Sequence, residues 1–468
     1  MSFNNKNNEI YDIIVYIKRS ASTGLYFISF CIGVFFGSKE VIVVIKSTIV
    51  KCNFCKEKIL LRFQIGYFNI PFNFSCPNCE VSIHGIKKIN ENNLIISNAK
   101  ETSEEINNAR FYGNFSTEFL NKKVSRYNCL EDIISSGTSP FLNTIMMFED
   151  YEQYQNVMAK MGKFLRFKES FLNKIKPLYE LFFNQKLDLI EKPLLDFSEN
   201  YIIKNELDAE IALHQLITIG MNYIMPPNTL KDYTNMANKL MLGKEINETV
   251  KFIEFIETKI NTKELSEKIF EIYDRWINDF EKYMSVIILS VVNKTDQIDK
   301  EIYGISTINF KDMRTFYADS YELILEMITL PVGLNNIIER KNYDCFTTNS
   351  KINNFKTFFN NTKYQRLEAL KDDEEFSKYL NINNNVRNSI AHFDYKINNE
   401  TQLITFYDKY KSSEKIIEMY LFDFALLCYE NIKFIVYLNE LFYNIKKISY
   451  IKNGLRPNIH PNFKEINI

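Results

Sequence analysis

The sequence predicts a mainly α chain with a small β region near its N terminus, and three observations carry that expectation. From about Pro140 onward, apolar residues recur three and four positions apart, as in MMFEDYEQYQNVMAKMGKFLRF and ELDAEIALHQLITIGMNYIM, which is the spacing of one helix face. Upstream, stretches such as KCNFCKEKILLRFQ alternate apolar and polar residues, the period of a strand. With 46% hydrophobic residues and only 13 Gly and 10 Pro in 468 residues, the chain can bury a sizeable core, which excludes disordered and fibrous classes. At roughly 150 residues per domain, the length suggests about three domains. Lys+Arg of 57 against Asp+Glu of 58 leaves a net charge of -1, so no polycationic field holds the whole chain on nucleic acid, and any such contact is local.

In chain order, residues 1–50 form an apolar N-terminal segment with two readings. Ser20 to Ser38 is a stretch of 19 residues without charge, the lower edge of a membrane span. Its apolar part proper, Gly24 to Gly37, is shorter and carries three glycines, which favours buried strands over a spanning helix. Residues 51–90 contain two C-x-x-C pairs, Cys52 with Cys55 and Cys76 with Cys79, separated by 20 residues. Each pair suits a tight knuckle that places two thiolates at adjacent corners of a tetrahedron, and the intervening segment is long enough for a hairpin. This is zinc-ribbon spacing: a closed, structural site for one zinc per chain, with no position left for a catalytic water. The rival reading, two disulfides, fits poorly with the other cysteines, because Cys31, Cys129, Cys345 and Cys428 stand singly in apolar surroundings as buried thiols do. A reducing, cytoplasmic compartment follows. His84 lies just beyond the fourth sulfur and reads as a surface residue.

Residues 91–140 are polar and mixed and read as a connecting region, and residues 141–300 as a helical region. Within it, His214 sits between Leu213 and Leu216 and reads as packed rather than catalytic, and Trp276 reads as core. Pro226-Pro227 and a turn at Gly333 are expected to break the helices. Residues 301–450 form a further helical domain ending in IIEMYLFDFALLCYENIKFIVYLNELFYNI, a helix apolar over most of its circumference that needs burial on more than one side. Residues 451–468 are a tail.

The sharpest chemical feature is NNNVRNSIAHFDY, which holds Arg387, Asn388 and His392 within six residues. The chain has 11 Arg and four His, so an Arg-x4-His coincidence is expected only about 0.09 times by chance, within the false-positive risk of any short motif. On a helix Asn388 and His392 share a face, and the Arg387 stem reaches the same space. A permanently charged fork, an amide and an imidazole suit a phosphodiester: His moves the proton, Arg holds phosphoryl charge, and Asn orients either.

The string RNSIAH, followed by an aromatic residue and Asp394, resembles the motif of the HEPN superfamily: Arg, a polar residue, three or more residues, then His. The resemblance covers roughly residues 305–450, and GLNNIIER at 333–340 is similar to the abortive-infection type of HEPN protein. It implies a four-helix bundle that dimerises so that two motif copies form one cleft. It also implies a metal-independent endoribonuclease in which an RNA 2'-hydroxyl attacks the adjacent phosphate, with Arg387 and His392 catalytic and Asn388 their polar helper. Some members add an acidic residue from an earlier helix, for which Asp319 and Glu322 are candidates here. The implied partners are RNA and a second copy of the chain, with an unidentified trigger regulating a defence or toxin effector. Two other readings stay open. Arg387 and His392 pair with the acidic stretch Asp372 to Glu375 and only fasten a helix start, or the chain is a non-catalytic RNA- or protein-binding scaffold, tethered to a membrane through residues 20–38.

Overall fold

The computed structural model describes residues 2–3, 11–19, 28–36, 39–89, 93–103, 108–127, 139–241, 245–347, 351–371, 376, 383–410 and 413–459. The chain divides into two compact units. The first comprises Met1–Val157, Asp279–Arg314 and His392–Leu426; the second comprises Met158–Asn278, Thr315–Ala391 and Leu427–Ile468. All strands among the described residues fall in the first unit, and the second is helical. The architecture is therefore mixed α and β, with helices predominant and a β region that is larger than the expected small one.

In the first unit, β1 (Ser2–Phe3), β2 (Tyr11–Arg19), β3 (Ile28–Phe36), β4 (Lys39–Cys52) and β5 (Lys58–Ile65) pair antiparallel in sequence order. β6 (Ile70–Ser75), β7 (Ser82–Lys87) and β8 (Leu94–Ser97) form a separate antiparallel sheet. β9 (Ala99–Thr102) pairs with the end of β4, and β10 (Phe111–Phe115) lies parallel to β5. β11 (Asn121–Lys122) pairs with β13 (Tyr303–Gly304), and β12 (Ser125–Arg126) with β10. β14 (Tyr395–Asn398), β15 (Leu403–Tyr410) and β16 (Ser413–Tyr420) make a third antiparallel sheet.

Part of the Ser20 to Ser38 stretch is thus strand β3, while residues 20–27, 37 and 38 lie outside the described residues. Among the described residues, no helix is long and apolar enough to cross a membrane. The region read as connecting carries β8 to β12. β10 gave little period-2 signal because it is covered on both faces: Tyr112, Gly113, Asn114 and Phe115 are all buried. β5 is likewise buried on both faces from Ile59 to Gln64, with Arg62 and Gln64 enclosed among its apolar residues. Phe63, Phe72, Phe74 and Phe115 pack with ring centroids 5.4–6.3 Å apart and form the centre of a core that also buries Cys52 and Cys76.

In the second unit, Trp276 is fully buried against Phe316 and Tyr429, with centroids 5.4 and 5.9 Å away. The terminal helix spans Leu421–Lys452, so the IIEMY residues read as its start belong to β16. From Cys428 to Ile445 it buries residues around its circumference, including Tyr429, Ile432, Ile435, Leu438 and Leu441. Gly333 does not break a helix: it lies inside Thr329–Arg340, where a Cβ would stand 2.1 Å from the buried Phe252 ring. Gly333→Ala should therefore destabilise the protein by about 1–3 kcal/mol, overpacking outweighing the better helix propensity of Ala. A urea melt unchanged or raised in midpoint would contradict this.

His214 is packed as expected. Its Nε2 lies 2.8 Å from Glu440 Oε2, and its ring stacks on Tyr443 at 3.7 Å. Burial raises the Glu440 pKa, but His214, Lys447 and Asn444 more than offset it and hold the carboxyl below its ordinary value. A carboxyl depressed in the fold adds stability above its unfolded pKa of about 4.3, and that stability is lost as pH falls through the lower folded value. His214→Ala leaves this carboxylate buried without its main partner and should cost about 3–5 kcal/mol in chemical denaturation near neutral pH. A loss under 1 kcal/mol would contradict that reading.

Candidate functional site

The two C-x-x-C pairs meet. Knuckle one joins β4 to β5 and knuckle two joins β6 to β7, each at a hairpin turn. Their backbones repeat one pattern. The Cys52 N–H donates to Glu57 O at 2.9 Å and the Lys56 N–H to Cys52 O at 3.2 Å. The Cys76 N–H donates to Val81 O and the Glu80 N–H to Cys76 O, both at 2.8 Å. The residue after each second cysteine is left-handed, Lys56 with φ 66° and Glu80 with φ 60°. That conformation costs a non-glycine residue roughly 1 kcal/mol, and it occurs in both turns.

All four Sγ atoms lie within 4.8 Å of one another. Cys52 and Cys79 are 3.7 Å apart and Cys55 and Cys76 3.5 Å, too long for the S–S bond of about 2.05 Å. They match instead the S···S separation of about 3.8 Å that a tetrahedral ion with metal–sulfur bonds of about 2.3 Å requires. Burial pushes the Cys76 thiol up to about 12. At Cys55 burial acts the same way, but hydrogen bonds with the Glu57 backbone, Asn78, Cys79 and Cys76 outweigh it and bring the thiol down to about 7. Four thiolates this close need a cation among them to ionise together. The donor set therefore fits a structural metal ion. His84 is exposed on β7 and is not part of the set. Of the single cysteines, Cys428 is buried but Cys345 is exposed; the side chains of Cys31 and Cys129 lie outside the described residues.

Arg387 and Asn388 lie on the helix Asn384–Ala391, in the second unit. Asn383 caps it, its Oδ1 accepting from the Asn385 and Val386 N–H groups at 3.1 and 3.3 Å. The helix Phe310–Met327 holds this start: Tyr317 Oη donates to Asn383 O at 3.3 Å, and Tyr321 Oη to Asn384 Oδ1 at 3.0 Å. The next residue, Glu322, accepts from Arg387 Nη2 at 2.5 Å, while Arg387 Nη1 reaches Asn388 Oδ1 at 3.4 Å. Lys363 Nζ stands 3.6 Å from the other Glu322 oxygen. Of the two acidic candidates, Glu322 is thus the one beside the motif; Asp319 instead accepts from Arg275 Nη1 at 2.6 Å. The stretch Asp372 to Glu375, offered as an alternative partner, lies outside the described residues.

The helix ends at Ala391, and the division between the units falls before His392, which is exposed in the turn that follows. Among the described residues the His392 side chain makes no hydrogen bond or ion pair. Sequence reasoning missed the anchoring pair Tyr317 and Tyr321 and the second cation, Lys363. Tyr317 and Tyr321 are four residues apart on one helix face, a signal present in the string YADSYE. Lys363 had none.

No family model, curated protein or solved structure matches this chain.

Proposed function

We propose that this chain is a metal-independent endoribonuclease of the HEPN type, acting as a defence or toxin effector. The observation that supports it best is the pairing of Glu322 with Arg387 on a capped helix whose last residue, Ala391, precedes the exposed His392. Glu322 accepts from one end of a fork that otherwise swings freely, and so positions it. His392 takes the proton from an RNA 2'-hydroxyl, the 2'-oxygen bonds to the adjacent phosphorus, and the 5'-oxygen leaves with a proton returned to it. Arg387 holds the charge that accumulates on the phosphoryl oxygens, and Asn388 orients the Arg387 guanidinium that donates to it. Two copies of the chain supply the two motifs of the cleft.

Cys52, Cys55, Cys76 and Cys79 hold one zinc ion that cross-links the two hairpin turns and takes no part in the reaction. The N-terminal and central regions regulate the enzyme, lowering its rate without abolishing it. The test is incubation of the full-length protein with single-stranded RNA in EDTA. Cleavage is the expected result; cleavage only on adding magnesium, or RNA binding without turnover as in a scaffold, would overturn it.

A further inference from the structure

A groove of about 810 Å³ runs through the first unit, its lining including Asn73, His84, Lys282, Lys311, Arg314 and Tyr395. It brings the outer sheet of the cysteine hairpins to the strand that follows His392. Lys282, Lys311 and Arg314 line it with one carboxylate, Asp312; Asp312 accepts from Asn309 Nδ2 at 3.0 Å, and Lys282 Nζ stands 2.7 Å from Asp279 Oδ1 just outside the lining. In a chain of net charge -1, this is a local concentration of positive charge.

At the groove's Arg314 end stands a side chain that stability does not explain. Phe393 is 71% exposed, and its backbone is left-handed at φ 59°. The ring gains little from burial and its backbone conformation costs roughly 1 kcal/mol. The Arg314 guanidinium lies 5.2 Å from its centroid and 5.3 Å from that of Tyr395. Among the described residues no carboxylate pairs with Arg314; the two rings hold it. Tyr395 is in turn braced edge-on by the buried Phe310, with centroids 5.0 Å apart. The result is an outward-facing aromatic surface backed by a cation, one residue past His392.

We propose that this groove binds an unpaired stretch of RNA, its phosphates along Lys282, Lys311 and Arg314 and one base stacked on Phe393. Every base has a π-face, so such a platform accepts single strands with little regard to sequence, and a duplex, whose bases are already stacked, cannot use it. The proposal rests on the ribonuclease reading for its choice of RNA over a protein partner. It deepens that reading by placing the strand that runs into the motif.

The test uses full-length protein carrying His392→Ala, so that RNA survives, with a labelled single-stranded 12-mer and a matching duplex. Single strands should bind more tightly than duplex. Adding Phe393→Ala should weaken single-strand binding by about tenfold, and Phe393→Trp should restore it. Arg314→Gln or Lys311→Gln should each lower the salt-dependence slope by about one. Phe393 is exposed, so loss of binding with an unchanged melting curve reports contact rather than folding. Binding within twofold of the background in both Phe393→Ala and Arg314→Gln, or equal affinity for duplex, would overturn the proposal, as would capture of a protein ligand that these variants abolish while RNA binding persists. The two readings separate cleanly. Cleavage by wild type with no effect of Phe393→Ala sinks the platform alone, whereas Phe393-dependent binding without any cleavage sinks the nuclease alone.

Discussion

Replacing His392 by alanine should lower RNA cleavage by about 10²–10⁴-fold, the range that a positioned acid–base group supplies. The imidazole is exposed and unbonded among the described residues, so its removal leaves no buried partner and should leave the melting curve in place. Arg387→Ala should cost a comparable factor through lost stabilisation of phosphoryl charge. It too should fold, because the Arg387–Glu322 pair is about a third exposed on each side, and such pairs contribute only about 0–1 kcal/mol. Rates from gel-resolved cleavage of one RNA, read beside thermal melts, decide this. Equal rates in wild type and both variants would remove the catalytic assignment.

The second large effect concerns the four cysteines. Protein purified without chelator should carry about one zinc ion per chain by elemental analysis, and Cys52→Ser with Cys55→Ser should lose it. Structural zinc binds small ribbons with an apparent free energy of about 10–16 kcal/mol, most of which is folding free energy. Cys52 and Cys76 are moreover wholly buried within the core that holds Phe63, Phe72 and Phe115. The double variant should therefore expose β6 to β8 to rapid hydrogen exchange and to proteolysis near residues 66–90. Full protection in a metal-free protein would show that the aromatic cluster alone holds the hairpins.

What could be read from the sequence follows the range of each interaction. The cysteine knuckles are local: two thiolates three residues apart, with a turn between strands, announce the arrangement without knowledge of the rest. The helix carrying Arg387 and Asn388 is equally local, with Asn383 ahead of it as a cap. The choice between Asp319 and Glu322 is not local. It depends on which face of the Phe310–Met327 helix meets the motif, and Tyr317 and Tyr321 settle that in favour of Glu322. The β14 to β16 sheet, in a region expected to be helical, did leave a trace: Ile404 and Phe406 are buried while Leu403, Thr405 and Tyr407 are not. That period of two was masked by the long helical signals on either side. β10, buried on both faces, left none.

The central claim, strand scission by the RNA's own 2'-hydroxyl at the Arg387–His392 motif, is tested most directly by the chemistry of the cut ends. One RNA and a copy carrying 2'-deoxyribose at the cleaved position are incubated with wild-type protein in EDTA, and the products are identified by mass spectrometry. The account predicts a 2',3'-cyclic phosphate or its hydrolysis product on one fragment, a 5'-hydroxyl on the other, and no cut in the deoxy-substituted strand. A 3'-hydroxyl with a 5'-phosphate, or cleavage of the deoxy-substituted strand, would contradict it.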